Sequence, residues 1–293
     1  MTAEKDSAFL NRNIMIRNYK MKRIILFIIL LSLPFVMRGE ENIRIVSLSP
    51  AITEMICHLG GEKNLAGRSS ACDYPEGVKK LPVAGDFAKP YMEKIFLLRP
   101  HYLLTNDLIN PVAAKRFESV GIKCVMKQIT SVEDYFFWVN YIGKILKKEN
   151  AASLEIRRVK KILAELKKNN PPERKKILWV IWDSPVMAAG KNSLLHYVIK
   201  CAGGENAAGK ITADYFRASA EYLVETNPDH IVFLGLSARK QRELGKKYPW
   251  NSMKAWKEGK IITHLPEELL FRPGPRLFNG ISLFHKEIFP EKK

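Results

Sequence analysis

The chain has 293 residues, 46% apolar and 27% charged, a balance that builds hydrophobic cores and excludes a disordered tail, a collagen-like rod and a polytopic membrane protein. At this length one large domain or two lobes of roughly 100–150 residues are expected. Forty-eight Lys and Arg against 30 Asp and Glu leave a net charge of +18, which invites a nucleic-acid or anionic-membrane reading and makes the placement of the charges the first question.

The N-terminus takes part of the excess. Ile24–Met37 is almost purely apolar, interrupted by Ser32 and Pro34, and follows Lys20, Lys22 and Arg23. Fourteen helical residues rise about 21 Å, short of the roughly 30 Å hydrocarbon core. A basic flank, a short apolar run and a break are the layout of a secretory signal. The expectation is export through a leader and signal within residues 1–39, with Met21 as a possible start, cleavage placed after Gly39, and an uncleaved anchor as the alternative. No Cys follows the run directly, which argues against a lipid-modified cysteine. Residues 1–39 hold seven basic and two acidic groups, so the remaining 254 residues hold 41 and 28, a net of +13.

From Ile43 strand-like and helix-like runs alternate. Ile43–Leu48 is β-rich; Ser49 then sits where an N-cap belongs, Pro50 suits the first helical position, and Gly60-Gly61 stop the helix. Met92–Leu98 is predicted helical and closed by Pro100, Tyr102–Leu104 a strand, Pro111–Ser119 a helix and Ile122–Met126 a strand. Thr130 with Glu133 reads as a capping box opening another helix. Glu149–Lys168 sets Ala152, Ile156, Val159, Leu163 and Leu166 on one helical stripe, and Pro171-Pro172 end it. Beyond it Lys176–Trp182, Ile231–Leu234 and Lys260–His264 read as strands, and Leu194–Ala202, Ala220–Thr226 and Leu277–Phe289 as helices. The alternation implies parallel pairing with crossovers. The domain expectation is an N-terminal α/β lobe over 43–148, a linking helix over 149–170 and a C-terminal α/β lobe over 171–293.

The two halves echo one another. Glu93 precedes Pro100 by seven positions, as Glu221 precedes Pro228, and Cys57–Glu62 (CHLGGE) resembles Cys201–Glu205 (CAGGE). Two similar lobes facing across a cleft follow, with the cleft as the place for a ligand.

Familiar catalytic constellations are missing. There is no G-x-S-x-G, G-x-x-x-x-G-K-[ST] or G-x-G-x-x-G, the six histidines are scattered, and Glu267-Glu268 read as solvated loop charges. No catalytic residue, resident cofactor or protein-built metal site is expected, and the chain is not read as an enzyme. Cys57, Cys72, Cys124 and Cys201 form no C-x-x-C, which excludes zinc ribbons and thioredoxin-type sites; they read as free thiols, or as a disulfide whose pairing the spacing does not give. The basic runs around Lys147–Lys176 read as a solvated helical face, and without an aromatic-interleaved basic motif no nucleic-acid partner is expected.

Five motifs, taken in order, add a resemblance: RIVSLSPAITE at 44–54, Asp73-Tyr74-Pro75, MEKIFLLRPHYLL at 92–104, Cys201–Asn206, and Arg272-Pro273-Gly274-Pro275-Arg276. Over residues 43–288 the chain resembles the helical-backbone class of periplasmic solute-binding proteins for cobalamin, ferric siderophores and haem, nearest the cobalamin branch. The resemblance implies an α/β fold of two similar Rossmann-like lobes joined by a single long rigid helix, with the ligand cleft between them. It implies a periplasmic, monomeric carrier that takes a bulky cobalt- or iron-containing chelate, cobalamin or a related corrinoid ahead of a ferric siderophore or haem, to an ABC importer permease dimer. Glu93 and Glu221 fall where the family docks on permease arginines. Phe87, Tyr215 and Met187 fall at ligand positions, as do Arg272 and Glu268, the latter in place of an aspartate. Trp182, at a strand end, and Phe216, beside Tyr215, join them from their own placement. Ala71 and Asn106 stand where cobalamin binders carry rings. An exported metal-dependent α/β enzyme is the alternative of another class.

Overall fold

The structure, a computed structural model, describes residues 42–107 and 109–290. The export segment expected within residues 1–39 lies outside them. Among the described residues no helix is long and apolar enough to cross a membrane.

In chain order the first lobe comprises β1 (Ile45–Ser47), α1 (Pro50–His58), β2 (Leu65–Ser69), β3 (Val83–Asp86), β4 (Lys89–Pro90), α2 (Met92–Leu98), β5 (Tyr102–Thr105), α3 (Pro111–Ser119), β6 (Lys123–Met126) and α4 (Val132–Ile145). Its sheet runs β4-β3-β2-β1-β5-β6, parallel except for the β3–β4 hairpin. Because β1 leads to β2 on one side and its neighbour β5 leads to β6 on the other, the chain leaves the C-terminal ends of β1 and β5 in opposite directions. In an open α/β sheet such a switch point leaves a crevice above the strand ends.

Helix α5 (Glu149–Asn169) then carries the chain across. The second lobe comprises β7 (Lys176–Asp183), β8 (Val186–Ala189), α6 (Leu194–Cys201), β9 (Glu205–Asn206), β10 (Tyr215–Arg217), α7 (Ala220–Thr226), β11 (His230–Val232), α8 (Ala238–Leu244), α9 (Lys254–Lys257), β12 (Ile261–Ile262), α10 (Glu267–Leu270) and α11 (Leu277–Ile288). The sheet runs β10-β8-β7-β11-β12, with β9 beside the first residues of β7. β7, β11 and β12 are parallel, whereas β8 and β10 add an antiparallel wing to the far half of β7.

The predicted stripe on α5 is the seam between the lobes. Ala152, Val159 and Leu166 are fully buried, with Ile156 and Leu163 partly so. They belong to one apolar cluster that runs from Ile52, Tyr135 and Trp138 to Trp179, Phe278 and Phe284. Each fully buried aliphatic side chain contributes about 1.5–3 kcal/mol, so a core continuous along the helix resists separation of the lobes. Glu155 interrupts the stripe as a buried carboxylate.

The internal repeat is visible in the backbone. Ser49 and Ser193 cap α1 and α6, each accepting the N–H three residues on. Both helices end on a glycine of positive φ, Gly60 at 78° and Gly203 at 86°, and the next glycine N–H returns to Ile56 O at 2.8 Å and Ile199 O at 2.9 Å. The seven-residue helices α2 and α7 each close on a left-handed residue, Arg99 and Asn227. His101 Nδ1 accepts the N–H of Arg44 (3.0 Å) and Asp229 Oδ2 accepts that of Lys176 (2.8 Å), tying β5 and β11 to the central strand of each lobe by the same bond. One expectation shifts by a residue: α4 is capped by Ser131, not Thr130, and the reciprocal acid is Asp134, not Glu133. Asp134 accepts from Thr130 N and Ser131 Oγ while Ser131 Oγ accepts from Asp134 N.

Candidate ligand cleft

The first lobe's side of the cleft is built above β1 and β5. Asn106 accepts the Ser49 hydroxyl, so the residue standing in place of a ring closes a polar floor with the α1 cap. Thr53 Oγ1 donates to Ser47 Oγ (2.9 Å), and Thr53 and Ser69 both meet the buried Cys72 Sγ at 3.1 Å. Over this floor leans the β3–β4 hairpin. Its turn is fixed by Ala88 N–H bonding Leu48 O (3.2 Å) and by Asp86 accepting from Ser70 Oγ (2.7 Å) and Tyr91 Oη (2.9 Å). Phe87, at the tip, is 44% exposed.

The second lobe answers with the antiparallel wing. Trp182 pairs with Met187, and Met187 with Arg217, whereas Tyr215 lies two residues before Arg217. Directly opposed residues and residues two apart share one face of a sheet. Trp182, Met187, Tyr215 and Arg217 therefore form one surface, with Trp182 60% and Tyr215 41% exposed. Phe216 departs from expectation: alternation turns it to the opposite face, where it packs edge-on against Tyr222 (centroids 5.3 Å apart) within the second core cluster. Beyond the ends of β7 and β11 lies a cavity of about 390 Å³, lined by Trp182, Asp183, Ser237, Lys240, Glu267 and Phe271. Lys240 Nζ is 2.9 Å from Asp183, and that carboxylate raises its pKa. Glu268 is exposed but does not line this cavity; its neighbour Glu267 does.

Arginines of the 272–276 loop bind the lobes together. Arg276 grips the buried Glu54 of α1 through Nε (2.9 Å) and Nη2 (2.7 Å) and lies 3.8 Å from the Tyr74 ring centroid. Arg272 reaches Asp73 through both Nη atoms, with Nη2–Oδ2 at 3.1 Å, and its Nη1 is 3.7 Å from Glu54. Both guanidinium pKa values are raised, by hydrogen bonds to Asp73 and to Glu54 respectively. Glu93 and Glu221 sit in the exposed first turns of α2 and α7, the equivalent helices of the two lobes. The Glu221 carboxyl is held low by backbone N–H and Ser219.

A model of the periplasmic binding protein family matches residues 45–268. The chain belongs to the periplasmic binding protein family. Its curated relatives include an uncharacterized ABC transporter substrate-binding lipoprotein, YvrC, of Bacillus subtilis, 25% identical over 86% of this chain and 82% of that protein. A vitamin B12-binding protein of Vibrio parahaemolyticus is 22% identical over 89% of this chain and 94% of its own. Among solved structures, the periplasmic heme-binding protein HutB of Vibrio cholerae superposes with a TM-score of 0.75 at 23% identity, covering 85% of this chain and 100% of the other. The vitamin B12-binding protein BtuF of the same species gives 0.70 at 17%, covering 85% and 98%. The likeness to these structures establishes the two-lobed fold. Among the described residues of this binding protein, no three His, Cys, Asp or Glu gather as a metal centre, and the four cysteines are free.

Sequence reasoning missed Arg217, Lys240, Asp183 and the Asp73–Arg272 pair as a unit. Arg217 could have been found from Tyr215 by period two, had the three-residue strand been recognised. The pairings of Asp73 and Lys240 join residues 199 and 57 positions apart, which no local pattern encodes.

Proposed function

We propose that the protein is an extracytoplasmic, monomeric carrier that captures a bulky metal chelate and delivers it to an ABC importer permease, and that it catalyses no reaction. The observation that carries this is an exposed aromatic surface on each lobe: Phe87 at the hairpin tip of one, and Trp182, Met187 and Tyr215 on one sheet face of the other. Exposed rings on fixed strands and hairpins grip flat, largely apolar ligands at little entropic cost. The signal-like residues 24–37 and the family support export and periplasmic residence. Cobalamin or a related corrinoid is the first candidate, in keeping with the relatives named for vitamin B12. Haem or a ferric siderophore is the second reading, favoured by Arg217, a cation with no ion pair among the described residues on the same face as the rings. The metal is cargo held by its own chelate.

Fluorescence or calorimetric titration of the purified protein with cyanocobalamin, haem and ferric siderophores tests the reading. Saturable binding to at least one, weakened by Trp182→Ala and Tyr215→Ala, is expected. Absence of saturable binding to all three would sink it.

A further inference from the structure

The cleft carries two cations already occupied by the protein's own carboxylates: Lys240 by Asp183 and Arg272 by Asp73. The second pair is built asymmetrically. Arg272 has a second carboxylate, Glu54, at 3.7 Å, whose side chain is 3% exposed and clamped through two nitrogens of Arg276. The Asp73 side chain is 49% exposed and follows β2 on the loop at the cleft end of the sheet. A buried carboxylate cannot leave its partner without heavy desolvation cost, whereas an exposed one is received by water. Glu54 is thus the fixed tether of Arg272, and Asp73 its exchangeable partner.

We infer that Asp73 is a built-in competitor for Arg272, so that a ligand carboxylate enters the cleft by taking Asp73's place on the guanidinium. This rests on the carrier reading and names a determinant of ligand choice within it. The two-point geometry with Asp73 is the one a ligand carboxylate would adopt on the same fork. While Asp73 remains, an anionic chelate meets both an occupied donor and a like charge. A chelate without carboxylates need not disturb the pair and is unaffected. Arg272 holds the Asp73 carboxyl below its ordinary range, so the competing charge is present at neutral pH.

The test is the ratio of affinities for haem, with two propionates, and cyanocobalamin, with none, in wild type and Asp73→Asn. Removing one charge-assisted competitor should tighten haem binding about tenfold and move cobalamin affinity less than about twofold. Thermal unfolding checks that the variant is folded; should it fail, Asp73→Ser, equally uncharged, reads the same ratio. Unmoved haem affinity, or an equal shift for both ligands, would overturn the exchange. If wild type binds neither probe nor a ferric siderophore, the carrier reading falls and this inference with it; if a carboxylate siderophore alone binds, it takes the place of haem, and binding unmoved by Asp73→Asn overturns the inference alone.

Discussion

Glu155 shows how one residue can hold two lobes and a linker together. It lies within the apolar stripe of α5, yet its carboxylate accepts from Tyr135 Oη (2.6 Å), His58 Nε2 (2.8 Å) and Arg158 Nε (2.7 Å), while Arg158 Nη2 reaches Pro275 O at 2.8 Å. Burial alone would raise its pKa, but the hydrogen bonds from Arg158, His58 and Tyr135 outweigh it and bring the value down from 4.5 to about 2. A carboxyl lowered on folding contributes stability that is fully present above its unfolded value and is lost as pH falls through its folded value. Between pH 4.5 and 2 this group should account for about 3 kcal/mol of lost stability. Urea unfolding across that window should show a shallower pH slope in Glu155→Gln than in wild type; parallel slopes would remove Glu155 as a source of acid sensitivity. The sequence marked the stripe but not this acid, because one carboxylate on a long charged helix looks solvated until partners 97 and 20 positions away are in place.

At the scale of elements, legibility followed punctuation. Met92–Leu98, Pro111–Ser119 and Ala220–Thr226 end where they were expected to. Pro111 and Ser219 mark the starts of the last two, and Arg99, Val120 and Asn227 leave helical geometry at the ends of all three. β2, β3, β8 and β10 were not legible. Leu65–Ser69 and Val83–Asp86 contain Gly, Arg, Ser and Asp, poor strand formers whose conformation comes from the neighbouring strand. That omission hid the hairpin carrying Phe87, and there Gly85 is decisive: a Cβ on it would stand 2.4 Å from Lys89 O and 3.1 Å from Leu48 Cδ2. Gly85→Ala should therefore push the hairpin off the sheet, costing about 1–3 kcal/mol and weakening ligand binding at a distance. Phe87→Ala should weaken binding while leaving the unfolding midpoint nearly unchanged. If Gly85→Ala left both stability and affinity intact, the hairpin would not be what positions Phe87.

Over the whole molecule the net charge is basic, whereas the docking expectation is acidic. Among the described residues, the docking expectation falls on two acids in a basic protein, Glu93 and Glu221, at matching positions of two repeated lobes. A repeated pair of carboxylates suits a two-fold permease bearing cations, since complementary charge sets orientation and encounter rate. Both side chains are exposed and neither forms an ion pair among the described residues; the Glu221 carboxylate meets a backbone N–H and the Ser219 cap of its own helix. Glu93→Ala or Glu221→Ala should each cut uptake through the importer about tenfold, and the double variant should abolish it. Unfolding midpoint and ligand affinity should stay at wild-type values. Raising ionic strength should depress wild-type uptake more than it depresses ligand binding, because exposed charge pairs are screened within about 10 Å at 0.1 M salt. Uptake assays in vesicles holding the permease read these quantities separately. Full uptake by the double variant would show that the symmetry of the two glutamates records the ancestry of the lobes and not their docking.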